Sequence, residues 1–429
     1  MSLKKSIFPA VITLLSFGLQ AQNVLYVKDI VKKLASPEFH GRGYVAKGDK
    51  LAAGFLESEA KSIGLQSFKD GYLQEFNLMV NTFPGACEVS IDGKSLIPGE
   101  DFIVRGNSPS IHGTFKIAWI NKKVVDADDA MINMINNIDK SFVIAIDTTG
   151  IQHELANELI KLITKENPTK ASAIIWIQHK NLTYKVYKYQ EKFPTLEIKE
   201  GKLNPEDKQI TIQSKSKFIK KYTTNNVVAF IPGQIDTFIC FTAHYDHLGS
   251  MGKNCYFPGG NDNASGSAIL LDLGKHLINE KGQNRYGYLF IWFAGEETGL
   301  LGSEYFTKNP LVDLSKIKRL INFDMIGSGE EGITVVNGEK YPEIHQGLES
   351  LNNKHLLLTE VKKRGISANS DHHPFSEKGV PAVFIYTMGN YREYHNIKDQ
   401  GEKVPFTAYN ELFKLFRLYI DTIQQYGHE

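Results

Sequence analysis

Five short stretches in the C-terminal half of the chain concentrate carboxylates and imidazoles: His244-Tyr245-Asp246-His247, Gly260-Asn261-Asp262-Asn263, Gly295-Glu296-Glu297, Asp324-Met325-Ile326-Gly327 and Tyr394-His395. Taken singly, each has an ordinary role. A histidine at a strand end is most often a hydrogen-bonded structural residue, Asp262 before a helix reads as a cap, Glu296-Glu297 as helix-start charges and Asp324 as a turn residue. Capping does not explain why all of them stand at strand ends or in the loops beside them. A metal site explains them together. Zinc takes imidazole nitrogen and carboxylate oxygen, and catalytic sites use few protein ligands so that water has a place. Two zinc ions sharing one carboxylate need five protein ligands, which His244, Asp262, Glu297, Asp324 and His395 provide. The charges also balance, because two divalent ions meet three carboxylates and one bridging hydroxide. Asp246 is then placed to accept the second ring N–H of a neighbouring imidazole, and Glu296 is the candidate general base.

The elements that must position these residues are apolar strands alternating with helices. Thr237–Ala243, Tyr288–Phe293 and Leu320–Phe323 are near-continuous apolar runs, as expected of strands covered on both faces. Helical spacing marks Ala264–Ile278, Tyr341–Leu351 and Phe406–Ile423, and Pro381–Tyr386 reads as another strand. Such alternation argues for a largely parallel α/β sheet, whose strand carboxyl ends converge on one ligand crevice. Upstream, Leu25 to Ile63 reads as two surface helices and Tyr72–Phe83 as a strand broken by Pro84-Gly85. A middle section from Cys87 to Ser214 holds further strand candidates at Thr114–Ile120, Phe142–Ile146, Ala173–Ile177 and Gln209–Ile212, with a helical segment near Leu155–Ile163. The basic run Lys215 to Lys221 reads as a solvated linker.

Composition excludes several classes of function. The 429 residues are 42% apolar and 23% charged, with 49 Lys plus Arg against 48 Asp plus Glu, so no basic excess exists to neutralise a nucleic-acid backbone. Cys87, Cys240 and Cys255 cannot form a disulfide framework, and their odd number leaves at least one free or paired between chains. Lys4 and Lys5 precede an apolar run from Ile7 to Leu19 and then Gln20-Ala21-Gln22, the layout of a secretory signal. Residues 1–21 are accordingly expected to be removed, leaving an exported chain, periplasmic or secreted, that starts near Gln22 and carries no integral membrane segment. Its oligomeric state is left open.

The stretches Thr242-Ala243-His244-Tyr245-Asp246-His247-Leu248-Gly249, Gly260-Asn261-Asp262-Asn263-Ala264-Ser265-Gly266, Ala294-Gly295-Glu296-Glu297-Thr298-Gly299-Leu300-Leu301-Gly302-Ser303, Asn322-Phe323-Asp324-Met325-Ile326-Gly327 and Tyr394-His395 together resemble the M28 zinc exopeptidases, in that family's order. The resemblance implies a three-layer α/β/α, phosphorylase/hydrolase-like domain with a mixed, largely parallel sheet, interrupted by a smaller β-rich inserted domain of protease-associated type. The implied layout is 22–86 for the N-terminal part of the peptidase domain, 87–214 for the insert and 215–429 for the catalytic part. It also implies that Asp262 bridges two zinc ions, with His244 and Asp324 completing one site and Glu297 and His395 the other. Glu296 is then the base that acts through a metal-bridging hydroxide, and Asp246 the histidine-orienting acid. By the same resemblance Ser370-Asp371-His372-His373-Pro374-Phe375 lines the substrate side, and Tyr394 offers its hydroxyl to a developing oxyanion. His395-Asn396-Ile397 departs from the family's frequent proline two residues after the histidine.

Three other readings compete. A glutaminyl cyclase shares the fold with a single zinc, but Thr298-Gly299-Leu300-Leu301 after the glutamates and Phe323-Asp324-Met325 both favour the peptidase. A non-catalytic, receptor-like domain has no use for Glu296 beside a full ligand set. An M28-type carboxypeptidase needs a cation for the substrate's terminal carboxylate, whereas Asp246, Glu296, Glu297, Asp324 and Asp371 make the motifs acid-rich, and Arg364 and Arg392 stand in loops of unfixed direction. An aminopeptidase acting on peptides is therefore the expectation, with an apolar S1 pocket that includes Met325 and Phe375, flanked by Asp371 and His372.

Overall fold

The computed structural model describes residues 24–426 apart from 70, 128 and 129, so the stretch expected to be an export signal, residues 1–21, lies outside the described residues. Two eight-stranded sheets organise the chain. The first contains β1 (Leu73–Thr82), β2 (Lys217–Ile231), β3 (Ile235–His244), β4 (Tyr286–Phe293), β5 (Ile317–Phe323), β6 (Gly332–Val336), β7 (Val361–Lys363) and β8 (Ala382–Met388). Their order is β1-β2-β4-β3-β5-β8-β6-β7. The central strands β4, β3, β5 and β8 run parallel, and β2 and β6 join them antiparallel on either side.

Side chains alternate between the two faces along these strands and fix three layers. Ile239, Phe241 and Ala243 of β3, with Phe290 and Trp292 of β4, pack under the helices Val24–Leu34, Gly48–Ile63, Gly266–Leu277, Pro342–His355 and Tyr409–Tyr426. Phe238, Cys240, Leu289, Ile291 and Phe293 point to the other face, where Phe306 and Phe375 close the layer. All eight residues of β4 are buried, which accounts for its unbroken apolar run. Trp292 stays satisfied there because its ring N–H donates to the Ser267 carbonyl at 3.0 Å. The three-layer α/β/α arrangement is the one expected.

The second sheet lies between Cys87 and Ser214 and is not purely antiparallel. Ile111–Ile120, Phe142–Ile146, Ala173–Gln178 and Thr195–Lys199 form a parallel ladder, with the helices Ala130–Asn136 and Glu154–Glu166 as crossovers. One expectation is corrected here: the run Lys215–Lys221 is no linker, because β2 starts at Lys217. There it pairs with the end of β1 through Val80↔Ile219, Asn81↔Phe218 and Thr82↔Lys217. Residues 217–222 of β2 are all exposed or half-buried, although their partners Val80, Asn81 and Thr82 on β1 are buried, so the charges of this stretch obey no alternation that a sequence would display.

The second sheet is welded to the loop that follows β3. Leu248, Met251, Cys255 and Phe257 belong to the same apolar cluster as Phe102, Leu182 and Ile198. Phe257 stacks on Tyr184 with ring centroids 4.5 Å apart. Cys87, Cys240 and Cys255 are all buried with free thiols. Phe257→Ala should remove this joint and cost about 3–5 kcal/mol, seen as a lower urea midpoint, whereas truncating exposed Tyr189 should leave the midpoint within about 0.5 kcal/mol.

Candidate metal centre

Because β4, β3, β5 and β8 are parallel neighbours, their carboxyl ends open on one crevice. β3 ends in His244, β4 leads into Glu296-Glu297, β5 into Asp324, and the segment after β8 brings His395. Asp262 enters from the loop before the helix Gly266–Leu277. The structure gathers all five proposed ligands. Asp262 Oδ1 lies 3.4 Å from His244 Nε2, which is also 3.4 Å from Asp324 Oδ1. Asp262 Oδ2 lies 3.0 Å from His395 Nε2, which in turn is 3.3 Å from Glu297 Oε2. The two oxygens of one carboxylate therefore face two separate imidazole–carboxylate pairs. Glu296 also comes close: His244, Glu296 and Asp324 present ligand atoms within 4.8 Å of one another, as do His244, Asp262 and Glu297.

Four of the five, Asp324, Asp262, His244 and Glu297, are held from behind. Thr242 Oγ1 donates to Asn322 Oδ1 at 2.7 Å, Asn322 Nδ2 to Ser370 Oγ at 2.8 Å, and Ser370 Oγ to Asp324 Oδ2 at 2.8 Å, leaving Asp324 Oδ1 free to face His244. Asp399 accepts the backbone N–H groups of Asn261 and Asp262 at 2.8 and 3.0 Å. Arg42, fully buried, donates to the carbonyls of Leu34, Tyr245, Pro258, Gly259 and Asp262. Its five N–H groups thus meet five acceptors.

The histidine-orienting role expected of Asp246 is taken by its backbone. His244 Nδ1 is 3.0 Å from the Asp246 carbonyl but 3.9 Å from its carboxylate. The carboxylate instead accepts from the Tyr44 hydroxyl at 2.9 Å and the Glu296 N–H at 3.2 Å, so it positions the glutamate loop. The expected S1 pocket is also revised. Phe375 is fully buried against Phe293 and Phe306, and His372 packs on Phe384 with no exposure, so neither offers surface to a substrate. Asp371 is likewise buried, and only Met325 is partly open. Tyr394 is 46% exposed and stacks 3.8 Å above the His395 ring, which leaves it at the mouth of the crevice.

Three residues of this assembly escaped sequence reasoning. His247 Nδ1 lies 2.8 Å from Glu297 Oε1 and turns the other glutamate oxygen toward His395. It was visible in the His-Tyr-Asp-His stretch, where its place directly after Asp246 could have suggested a supporting role. Arg42 and Asp399 carried no signal beyond a lone charge in an irregular segment.

The electrostatics show what the residues fit. Burial alone would raise the Asp262 carboxyl, but hydrogen bonds from His244 and His395 hold it well below the carboxylate range. Glu297 is brought to about 2 against its burial, chiefly by the charge of His395. His395, despite burial, is pushed up to about 11 by Glu297 and Asp262. Burial raises Glu296 well above its ordinary value, and Glu297, Asp324 and Asp371 add to the shift. Protons on the imidazoles thus compensate the excess of carboxylates in this ion-free state. A divalent cation does the same with the N/O donor set that zinc accepts, so the residues fit metal.

Comparison with known proteins follows this geometry. Residues 226–420 match the model of Peptidase family M28. The chain is 30% identical over 178 residues to a probable leucine aminopeptidase of Trichophyton verrucosum, an alignment covering 39% of this chain and 47% of that protein. It is 30% identical over 199 residues to leupeptin-inactivating enzyme 1 of Streptomyces exfoliatus, covering 46% and 43%. The chain spans about half the length of the curated relatives it matches. Among solved structures, a zinc aminopeptidase from Bacillus subtilis superposes with a TM-score of 0.68 at 17% identity, over 95% of this chain and 97% of that one. An aminopeptidase from Aneurinibacillus sp. strain AM-1 gives 0.61 at 17%, over 94% of each. These likenesses show the fold, both sheets included.

Two expectations follow from this site. Arg42→Lys keeps the charge but has three donors for five carbonyls, so zinc affinity should fall roughly 10–100-fold, read by chelator competition with the apo fold checked by circular dichroism. A liganding imidazole must be neutral, and His395 titrates near 11 in the ion-free cluster. Zinc binding should therefore release protons and tighten as pH rises from roughly 6 to 8, measured by calorimetry in buffers of different ionisation heat.

Proposed function

We propose that this chain is an exported di-zinc aminopeptidase that removes N-terminal residues from peptides. The observation that carries the reading is the division of Asp262, with one oxygen toward His244 and Asp324 and the other toward His395 and Glu297. A single-ion cyclase site has no need of that second pair. His244, Asp324 and Asp262 would hold one ion, and Glu297, His395 and Asp262 the other. Two such ions supply Lewis acidity to a scissile carbonyl and lower the pKa of a bound water.

Glu296 has no ligand role in this scheme and projects from the loop that Asp246 positions. It takes the proton of the attacking water and delivers it to the leaving nitrogen as the C–N bond breaks, which suits a carboxyl already biased toward holding a proton. Tyr394, at the mouth of the crevice, is placed to donate its hydroxyl to the substrate carbonyl oxygen. The surrounding carboxylates favour a free α-amino group. Arg364 and Arg392, the candidate clamps of a carboxypeptidase, are both exposed and contact none of the five ligands. The names of relatives, leucine aminopeptidase among them, agree with this choice.

Glu296→Gln should retain both zinc ions by elemental analysis and lose about 10²–10⁴-fold in turnover of a leucyl anilide. The N-acetylated anilide should be inert with the unaltered chain. Release of a C-terminal residue from an N-blocked peptide, without cleavage of the free aminoacyl compound, would reverse the assignment.

A further inference from the structure

Between the strands Ala173–Gln178 and Thr195–Lys199 of the second sheet, the chain leaves its own domain and runs as an irregular strap along the metal crevice. Two hydrogen bonds register it. The Tyr184 N–H donates to the His395 carbonyl at 2.8 Å, and the Tyr187 carbonyl accepts from the Asn81 N–H at 2.9 Å. Val186 packs against the apolar clusters of both sheets. One residue past the Tyr187 anchor, the Lys188 ammonium reaches the Glu296–Leu300 turn, 3.6 Å from where a side chain on Gly299 would begin. Gly299 closes that turn through its N–H to the Glu296 carbonyl at 2.8 Å. From Tyr184 to Lys188, therefore, the strap spans the two segments that carry His395 and Glu297.

This places a cation beside the turn that carries the partly open Glu296 and Glu297. Lys188 is exposed, and among the described residues it takes part in no ion pair, unlike Lys202, which is tied to Asp101 at 2.9 Å. Its backbone is anchored on a packed segment, so the ammonium is held at the rim at little ordering cost when a ligand arrives. Lys185, also exposed, adds like charge to the same strap.

We propose that Lys188 is a specificity-determining residue that pairs with the C-terminal carboxylate of short substrates, making di- and tripeptides with a free C-terminus the preferred substrate class. The proposal rests on the aminopeptidase reading above. With the amino group held among acids, the peptide extends past the scissile bond at about 3.3–3.6 Å per residue. A chain of one or two further residues ends at the strap, whereas longer peptides carry their terminal charge past Lys188 and gain nothing from it.

The test compares Leu-Gly-Gly with its C-terminal amide on the zinc-loaded full chain, beside a leucyl anilide that has no carboxylate. The acid should exceed the amide in kcat/KM by about fivefold, as expected of one partly exposed ion pair. The difference should reside in KM and shrink with added salt. In Lys188→Ala the acid-to-amide ratio should fall to one, in Lys188→Glu below one, and in Lys188→Arg it should persist. Because the ratio compares two substrates of one preparation, a partly unfolded variant does not mimic the result. A ratio of one in the unaltered chain, or one that survives Lys188→Ala, overturns the role of Lys188 and leaves the aminopeptidase standing. Failure to cleave any of the three substrates overturns both.

Discussion

Everything at the strand ends depends on a buried guanidinium that faces no carboxylate. A charge withdrawn from water is costly unless each of its donors is matched, and Arg42 meets this demand entirely with main-chain carbonyls. Those carbonyls come from the end of the first helix, from the residue after His244 and from the loop that delivers Asp262. One side chain therefore fixes three segments at once. Burial lowers its pKa to about 10, which still leaves it charged at neutral pH. Its charge is felt by Asp262, Asp399, Asp246 and Glu297. Asp399 answers it from the opposite side by taking amide N–H groups of the same loop.

Orientation of the ligands follows one pattern. Three of the groups that face the crevice are aimed by a partner on the far side: the Thr242–Asn322–Ser370 chain behind Asp324, the Asp246 carbonyl behind His244, and His247 behind Glu297, whereas His395 Nδ1 has no hydrogen-bond partner among the described residues. Such supports keep the acids apart from one another and toward a common centre, at the expense of repulsion that an ion-free cluster relieves by protonation. Of the neighbouring stretch, Ser370 serves as buried backing for Asp324, and Asp371 and His372 are buried beside it.

The five ligands and Glu296 were legible because their chemistry is concentrated at the ends of strands that announce themselves by unbroken apolar runs. The central sheet was legible for the same reason. The start of β2 was not, since residues 217–222 are all exposed or half-buried and so show no period. Arg42 was invisible for another reason. A residue satisfied wholly by carbonyls leaves no complementary side chain to notice, and those carbonyls belong to segments far apart in the chain. Phe375 illustrates the converse error: proximity in sequence to Asp371 and His372 suggested the crevice, but the short helix His372–Glu377 turns it into the layer behind β4 and β5.

The pairing of β1 with β2 also sets how the second sheet is attached. Thr82 and Lys217 are direct partners, so the chain departs and returns at adjacent points of the same antiparallel pair. To the first sheet, the whole insert is no more than an overgrown hairpin turn. Its removal would break no strand connection and no ligand, but it would strip the apolar cover from Leu248, Met251 and Phe257 and release the carbonyl of His395 to water. The insert is thus separable in topology and inseparable in packing. An ancestor could have acquired it in a single event, and the loop after β3 would then have come to rely on it for its shape.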